Sequence, residues 1–398
     1  MALPNCTAVL VGFNPVALAR DVPVEGWDKR CAQVFRELQR RADDGDPQCH
    51  VLTPVVGPEG VTGSSRMKGG SMTKIILDTV FLNVLTASHK VDGASPPDVS
   101  LRGTLLDFER GYRDAYTDAP GVGQLIELAA SALRTGRAHL YYIGSDDDSG
   151  LLGMIDASEM VDTYGSRLDE VRAFVTGGWS ACGNNEGDLS GKGDLFRIGW
   201  ADFAESELGK LDSEDTVILL NPTGVEGNSL ISTLRKASCR IGVLTVSCED
   251  VVDAARLPEV DAMAYVRLSV DQNHTCALLV RALAMKLVLN AITTGANVLT
   301  GKVYGNMMIN LTVSNNKLMQ RSAEIVSKIT GCTMADARIA LLRAIHGVDV
   351  VEEALLAKPL SHHIEVATPQ MNVVPTAALL ATRLFTVAEA RGEIEKSS

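Results

Sequence analysis

Apolar positions change their spacing along this chain, and the changes mark its organisation. Residues 7–12 form a short continuous apolar run, the pattern of a strand covered on both faces, and it stops at Phe13, Asn14 and Pro15. Over 26–41 the spacing becomes helical. Trp27, Cys31, Val34, Phe35 and Leu38 share one face, with Lys29, Arg30, Arg36, Glu37 and Arg40 elsewhere around it. A polar loop at 43–47 and a second strand at 50–56 follow. Gly57, Pro58, Gly60 and Gly63 then hold the backbone out of regular structure until a long helix over 67–87, whose Ile75, Ile76, Val80 and apolar run 82–85 give it a largely buried character.

Two further helices are predicted at 98–117 and 121–135, joined through Asp118, Ala119, Pro120 and Gly121. From 139 onward strands at 139–143, 216–220, 240–246 and 262–268 alternate with helical runs, the pattern of a complete doubly wound parallel sheet. The interval 177–192, rich in Gly and Asn, reads as a loop. Beyond 302 the pattern is helical at 303–311, 316–330, 334–346, 348–357 and 375–390, with a break at Pro359, His362 and His363. The predicted class is therefore α/β, with two parallel-sheet domains followed by an all-helical cap. The divisions fall at 1–97, 98–313 and 314–398. Residues 74–80 and 286–292 repeat one pattern, too far apart for a solenoid and suited to domain duplication. Only two strands precede the glycine-rich stretch, fewer than a covered parallel sheet normally needs, so the first domain reads as shortened.

A formal net charge of −12 argues against a nucleic-acid surface, and the 46% apolar and 22% charged content is that of ordinary globular proteins. No apolar run reaches the roughly 18 residues expected of a membrane helix, and the first residues lack a basic leader region. The eight cysteines are scattered without a C-x-x-C pair, which suggests neither a zinc site nor a disulfide framework and favours a reducing, intracellular compartment. Adjacent His362 and His363 have no carboxylate at a metalloprotease spacing, so no metal is expected there.

The stretch from Gly57 to Lys74 carries the chemistry. A loop that enters a helix presents unpaired amides and the positive end of the helix dipole, which favour an anion. Ser64 and Ser65 add hydroxyl donors there, and Arg66 or Lys68 adds charge. An ordinary capped helix with Ser64 or Ser65 as its cap fits the same residues.

Residues Thr62, Gly63, Ser64, Ser65, Arg66, Met67, Lys68, Gly69 and Gly70 resemble the signature of the sugar isomerase (SIS) group, which holds N-acetylmuramic acid 6-phosphate etherases and glucokinase regulatory proteins. The regulatory branch is the closer match: Val11, Gly12, Phe13, Asn14 and Pro15, the turn at 57–60 and the double glycine after Lys68 also resemble it. The resemblance continues through 155–174, 286–302 and 314–321. It implies two SIS-type domains and a helical cap. The earlier half of the first domain, with its own phosphate loop and further strands, has no counterpart here, through truncation or a start assigned at an internal methionine.

The resemblance also implies a sugar-phosphate pocket assembled from Ser64, Ser65 and Arg66, from Glu159 in the second domain, and from Lys317 in the cap. Its implied function is binding of fructose 6-phosphate and inhibition of glucokinase or a related hexokinase, opposed by fructose 1-phosphate, in cytoplasm and nucleus. The partner contact would fall at Val266, Arg267 and Leu268, where Arg267 places a charge in a stretch that the family keeps apolar. The etherases' acid and base glutamates belong to the half-domain without a counterpart, and Glu59 reads as a turn residue. No catalytic residue, cofactor, nucleic acid or membrane is expected. The alternatives are the etherase itself or a phosphosugar sensor with another partner.

Overall fold

The computed structural model describes residues 6–19, 21, 23, 26–91, 100–145, 147–183, 187–222, 224–249 and 260–397, without the side chains of 88–91, 147, 224–226 and 397. The chain forms two compact units, Met1–Gly60 with Ser65–Lys74, and Val61–Ser64 with Ile75–Ser398. Residues 98–99 of the third predicted helix and 184–186 of the Gly/Asn loop lie outside the described residues.

In the first unit β1 (Ala8–Val11) and β2 (Cys49–Leu52) pair in parallel, Ala8 opposite Cys49. The crossover between them is α1 (Cys31–Asp43), which buries Ala32. This helix starts later than its apolar spacing suggests, and Trp27 stays 44% exposed. Its outer face carries the exposed ion pairs of Arg40 with Glu37 and Asp44, each at 2.7 Å. α2 (Lys68–Val91) begins in this unit and continues into the second.

The second unit opens with α3 (Leu101–Asp114) and α4 (Ala119–Leu133), each started by a side-chain cap, Ser100 and Asp118. Then follow β3 (Leu140–Gly144), α5 (Asp147–Tyr164), β4 (Val171–Val175), α6 (Trp200–Ser206), β5 (Thr216–Leu220), α7 (Gly224–Lys236), β6 (Arg240–Ser247), β7 (Ala262–Arg267) and α8 (Ala277–Leu299). The five strands form one parallel sheet in the order β4-β3-β5-β6-β7. Every residue of β5 is buried because helices cover both faces, which is why its sequence is continuously apolar instead of alternating.

Strand β4 is absent from the pattern-based assignment, and the reason is Arg172. Its guanidinium is buried, pairs with Glu207 at 2.7 Å, donates to the carbonyls of Asp194 and Arg197, and stacks over Phe174 at 4.9 Å. A charge that breaks the apolar run in sequence is thus neutralised in the fold. Helix α8 carries Arg281 and Lys286 within its apolar sequence. By length and composition it is apolar enough to cross a membrane, with a mean hydropathy of 1.5, and 67% of that window is buried inside this domain, as expected of a core helix.

After α8 the predicted helix at 303–311 is instead a small hairpin, β8 (Val303–Tyr304) with β9 (Met307–Met308), turned by Gly305 at φ +60°. The cap comprises α9 (Asn316–Thr330), α10 (Met334–His346), α11 (Glu353–Leu356), α12 (Leu360–Ala367), α13 (Val373–Ala381) and α14 (Val387–Ser397). Three details differ from the spacing. Only 353–356 of the 348–357 run is helical. Pro359 starts α12 instead of marking a gap, because a missing N–H costs nothing at a helix entrance. The run 375–390 divides at Arg383, whose φ of +63° cannot continue a helix.

Candidate functional site

In the first unit the loop enters α2 under the control of Glu59. Its carboxylate oxygens accept the amides of Lys68 at 2.9 Å and Gly69 at 2.8 Å, so two donors at the helix entrance are already satisfied by an internal anion. The residue read as part of a turn is the cap of α2. Sequence could not show this, since the cap lies nine positions before the amide and the familiar capping box spans three. In the same unit Ser65 is exposed and accepts the Gly70 amide on its carbonyl at 2.6 Å, and Arg66 is buried at 7%.

The preceding residues of the signature belong to the second unit. The Thr62 amide donates to the Asn306 carbonyl at 2.6 Å, and Thr62 bridges Met307 in the hairpin. Gly63 takes φ +82°, and its carbonyl accepts Nη1 of Arg321 from α9. The turn favours glycine, and a Cβ at Gly63 would lie 2.1 Å from the guanidinium carbon of Arg321, so a side chain there would displace that guanidinium. Ser64 is 5% exposed, and its hydroxyl has no hydrogen-bond partner among the described residues. A buried hydroxyl without a partner among the described residues, next in the chain to the glycine that Arg321 reaches, suits a ligand that carries acceptor oxygens. Arg321 is absent from the sequence-derived pocket, although it closes the 314–321 motif.

Glu159 is half-buried on α5, and Lys317 is exposed in the first turn of α9. Their helices are tied together. Thr312 donates from its hydroxyl to the Val161 carbonyl at 2.8 Å, and the Ser314 hydroxyl donates to Asp162 at 2.8 Å. Asn315 then caps α9 by accepting the Leu318 amide at 3.0 Å. The end of α5 is sealed by Gly165 at φ +61°, where a Cβ would stand 2.4 Å from the Asn310 carbonyl. Within this unit the fold therefore joins the helix of Glu159 to the start of the helix of Lys317, and Arg321, one turn further along, reaches Gly63. A cavity of about 540 Å³ in the cap, bordered by His346, Gln370, Arg391 and Glu395, includes none of the five predicted ligand residues.

The proposed apolar contact at the end of β7 needs correction. Val266 and Leu268 are 0% and 1% exposed and belong to the hydrophobic core, whereas Arg267 is exposed. Strand alternation sends the two apolar neighbours inward and leaves the charged residue on the surface.

A five-stranded parallel sheet with helices on both faces, followed by a helical lid, defines a doubly wound α/β protein with an all-helical cap. Residues 116–300 match the family profile described as glucokinase regulatory protein, second SIS domain, and residues 305–398 match that of the C-terminal lid domain of glucokinase regulatory protein. The chain is 32% identical to glucokinase regulatory protein of Xenopus laevis over 98% of its length and 63% of that protein. It is 32% identical to the Homo sapiens protein, over 97% of this chain and 62% of that one. It is also 33% identical to N-acetylmuramic acid 6-phosphate etherase of Clostridium beijerinckii, over 61% of this chain and 76% of the etherase. The chain belongs to the SIS-domain family of glucokinase regulatory proteins and their etherase relatives, and it spans slightly under two thirds of the length of the regulatory proteins that it matches.

Proposed function

We propose that this protein is a non-catalytic regulator that binds fructose 6-phosphate, inhibits glucokinase or a related hexokinase in that state, and is released by fructose 1-phosphate, acting in cytoplasm and nucleus. The observation that carries this reading is the extent of the two similarities: the regulatory proteins align along 98% of the chain, the etherase along 61%. The buried Ser64 hydroxyl, without a partner among the described residues, and the tie from Gly63 to Arg321 support it. A phosphosugar at Ser64 would touch the segment that α9 already holds, so two sugars that prefer different arrangements of lid and loop would have opposite effects.

Thermal melting with fructose 6-phosphate and fructose 1-phosphate, together with a glucokinase assay, tests this proposal. Both sugars should raise the melting temperature, because each binds the folded chain, and only fructose 6-phosphate should strengthen inhibition. Release of lactate from N-acetylmuramic acid 6-phosphate at an enzymatic rate would overturn the regulator reading and favour the etherase. Binding of phosphosugar with no effect on any hexokinase would leave a sensor with another partner.

A further inference from the structure

We propose that Asp107, His274 and Cys276 form a binding site for a thiophilic divalent transition metal, zinc in particular, which fastens α3 to the beginning of α8. Asp107 lies on α3, His274 on the turn after β7, and Cys276 at the N-cap of α8. Their ligand atoms converge. Nδ1 of His274 is 3.0 Å from Sγ of Cys276, Sγ is 3.2 Å from Oδ2 of Asp107, and Nδ1 is 3.5 Å from the same oxygen.

This triangle is close to three corners of a zinc tetrahedron. With Zn–S of about 2.3 Å and Zn–N or Zn–O of about 2.0–2.2 Å, the sulfur would stand roughly 3.6 Å from its neighbours, and nitrogen and oxygen roughly 3.4 Å apart. The nitrogen–oxygen edge already fits, and the two sulfur edges need to open by about half an ångström, a small rotation of side chains. Sulfur and imidazole donors exclude magnesium and calcium, which need shells of oxygen.

The surroundings suit the role. Arg110 holds the other Asp107 oxygen, Oδ1, at 2.9 Å, leaving Oδ2 for the metal and fixing the carboxylate. The His274 amide donates to Asp271 and its carbonyl accepts the Ala277 amide, both at 2.9 Å, so the turn that presents the imidazole is itself braced. Asp114, two turns along α3, accepts both the amide and the hydroxyl of Ser269 at 2.7 Å, and a Cβ on Gly111 would lie 2.3 Å from Val280. The two helices therefore already pack closely around the cluster. Asp107 and Cys276 are buried while the His274 side chain is 41% exposed, which leaves one open side for entry and for a water as fourth ligand. The H-x-C pair at 274–276 is invisible as a metal motif because its third ligand comes from a distant helix.

The test uses the full chain stripped by chelator and titrated with Co²⁺, which reports thiolate ligation through a charge-transfer band in the near ultraviolet. One equivalent should saturate the band, Zn²⁺ should displace it, and Cys276→Ser should abolish it. His274→Ala and Asp107→Asn should each weaken Co²⁺ at least tenfold. If Cys276→Ser does not fold, the His274 and Asp107 variants decide the matter. Absence of saturable binding, a band that survives Cys276→Ser, or an affinity unchanged in His274→Ala would show that the three side chains form only a hydrogen-bonded cluster and would overturn the proposal.

Discussion

Acidification should loosen the cap at one identifiable joint. His346 ends α10 and His363 lies on α12; Nε2 of the first and Nδ1 of the second are 2.8 Å apart. The rings of His346, His362 and His363 stand 5.0, 5.8 and 5.9 Å from one another. At neutral pH one imidazole donates to the lone pair of the other. Protonation of both removes that acceptor and sets like charges side by side. Burial first, and then the neighbouring imidazoles, hold both His346 and His363 below the ordinary histidine value near 6.5. The folded chain therefore binds fewer protons than the unfolded one between that lowered value and 6.5, and stability falls as pH drops through this window.

The magnitude has a ceiling. Each proton refused by the fold contributes at most about 1.4 kcal/mol per pH unit, so two histidines set a ceiling of about 2.7 kcal/mol between pH 6.5 and 5.5. The hydrogen bond itself contributes about 1 kcal/mol and is part of that same change. Hydrogen exchange over residues 334–367, corrected for the intrinsic pH dependence of exchange, should show a fall in opening free energy within that range. A variant with His346→Gln and His363→Gln keeps a donor and an acceptor and cannot titrate. Its exchange should be nearly independent of pH over the same interval. An undiminished fall in this variant would refute the assignment.

Lys317→Ala should weaken fructose 6-phosphate about ten- to a hundredfold by calorimetry, through loss of a charge-assisted hydrogen bond of about 1.5–3 kcal/mol. Melting without ligand should not change, since Lys317 is exposed, and unaltered affinity would show that the lid does not reach the sugar. Val266→Asp or Leu268→Asp should unfold the second unit, because an unpaired carboxylate would enter a core site that is 0–1% exposed. Arg267→Glu is the surface variant that tests glucokinase binding there, and a well-folded aspartate variant would contradict the burial argument. Asp118→Ala removes the cap of α4, which receives the Gly121 amide, and the acceptor of the Tyr265 amide at 2.8 Å on β7. Together these should cost about 2–4 kcal/mol in urea unfolding, and a loss below about 1 kcal/mol would refute the double role.

Wherever burial is regular along the chain, the sequence alone determined the element. Strand β5 and helices α9 and α10 begin and end where apolar runs, caps and glycines place them. Asn315 and Gly331 bracket α9, and Thr333 and Gly347 bracket α10, each in the role its side chain or backbone freedom dictates. The loop signature and its family were legible for the same reason, since they depend on residues adjacent in the chain. Tertiary structure alone decided the rest. Arg172 hides β4 until Glu207 neutralises it, Glu59 becomes a cap only when the loop folds back on α2, and Arg321 joins the loop from a helix far along the chain. Val266 and Leu268 illustrate the same limit, because a short apolar segment reads alike whether it faces a partner or the core. Asp107 meets His274 and Cys276 only across the packed faces of α3 and α8. Periodicity records how much of each residue a fold covers, whereas the identity of the covering group depends on which distant segments pack together, and that is set by the whole chain at once.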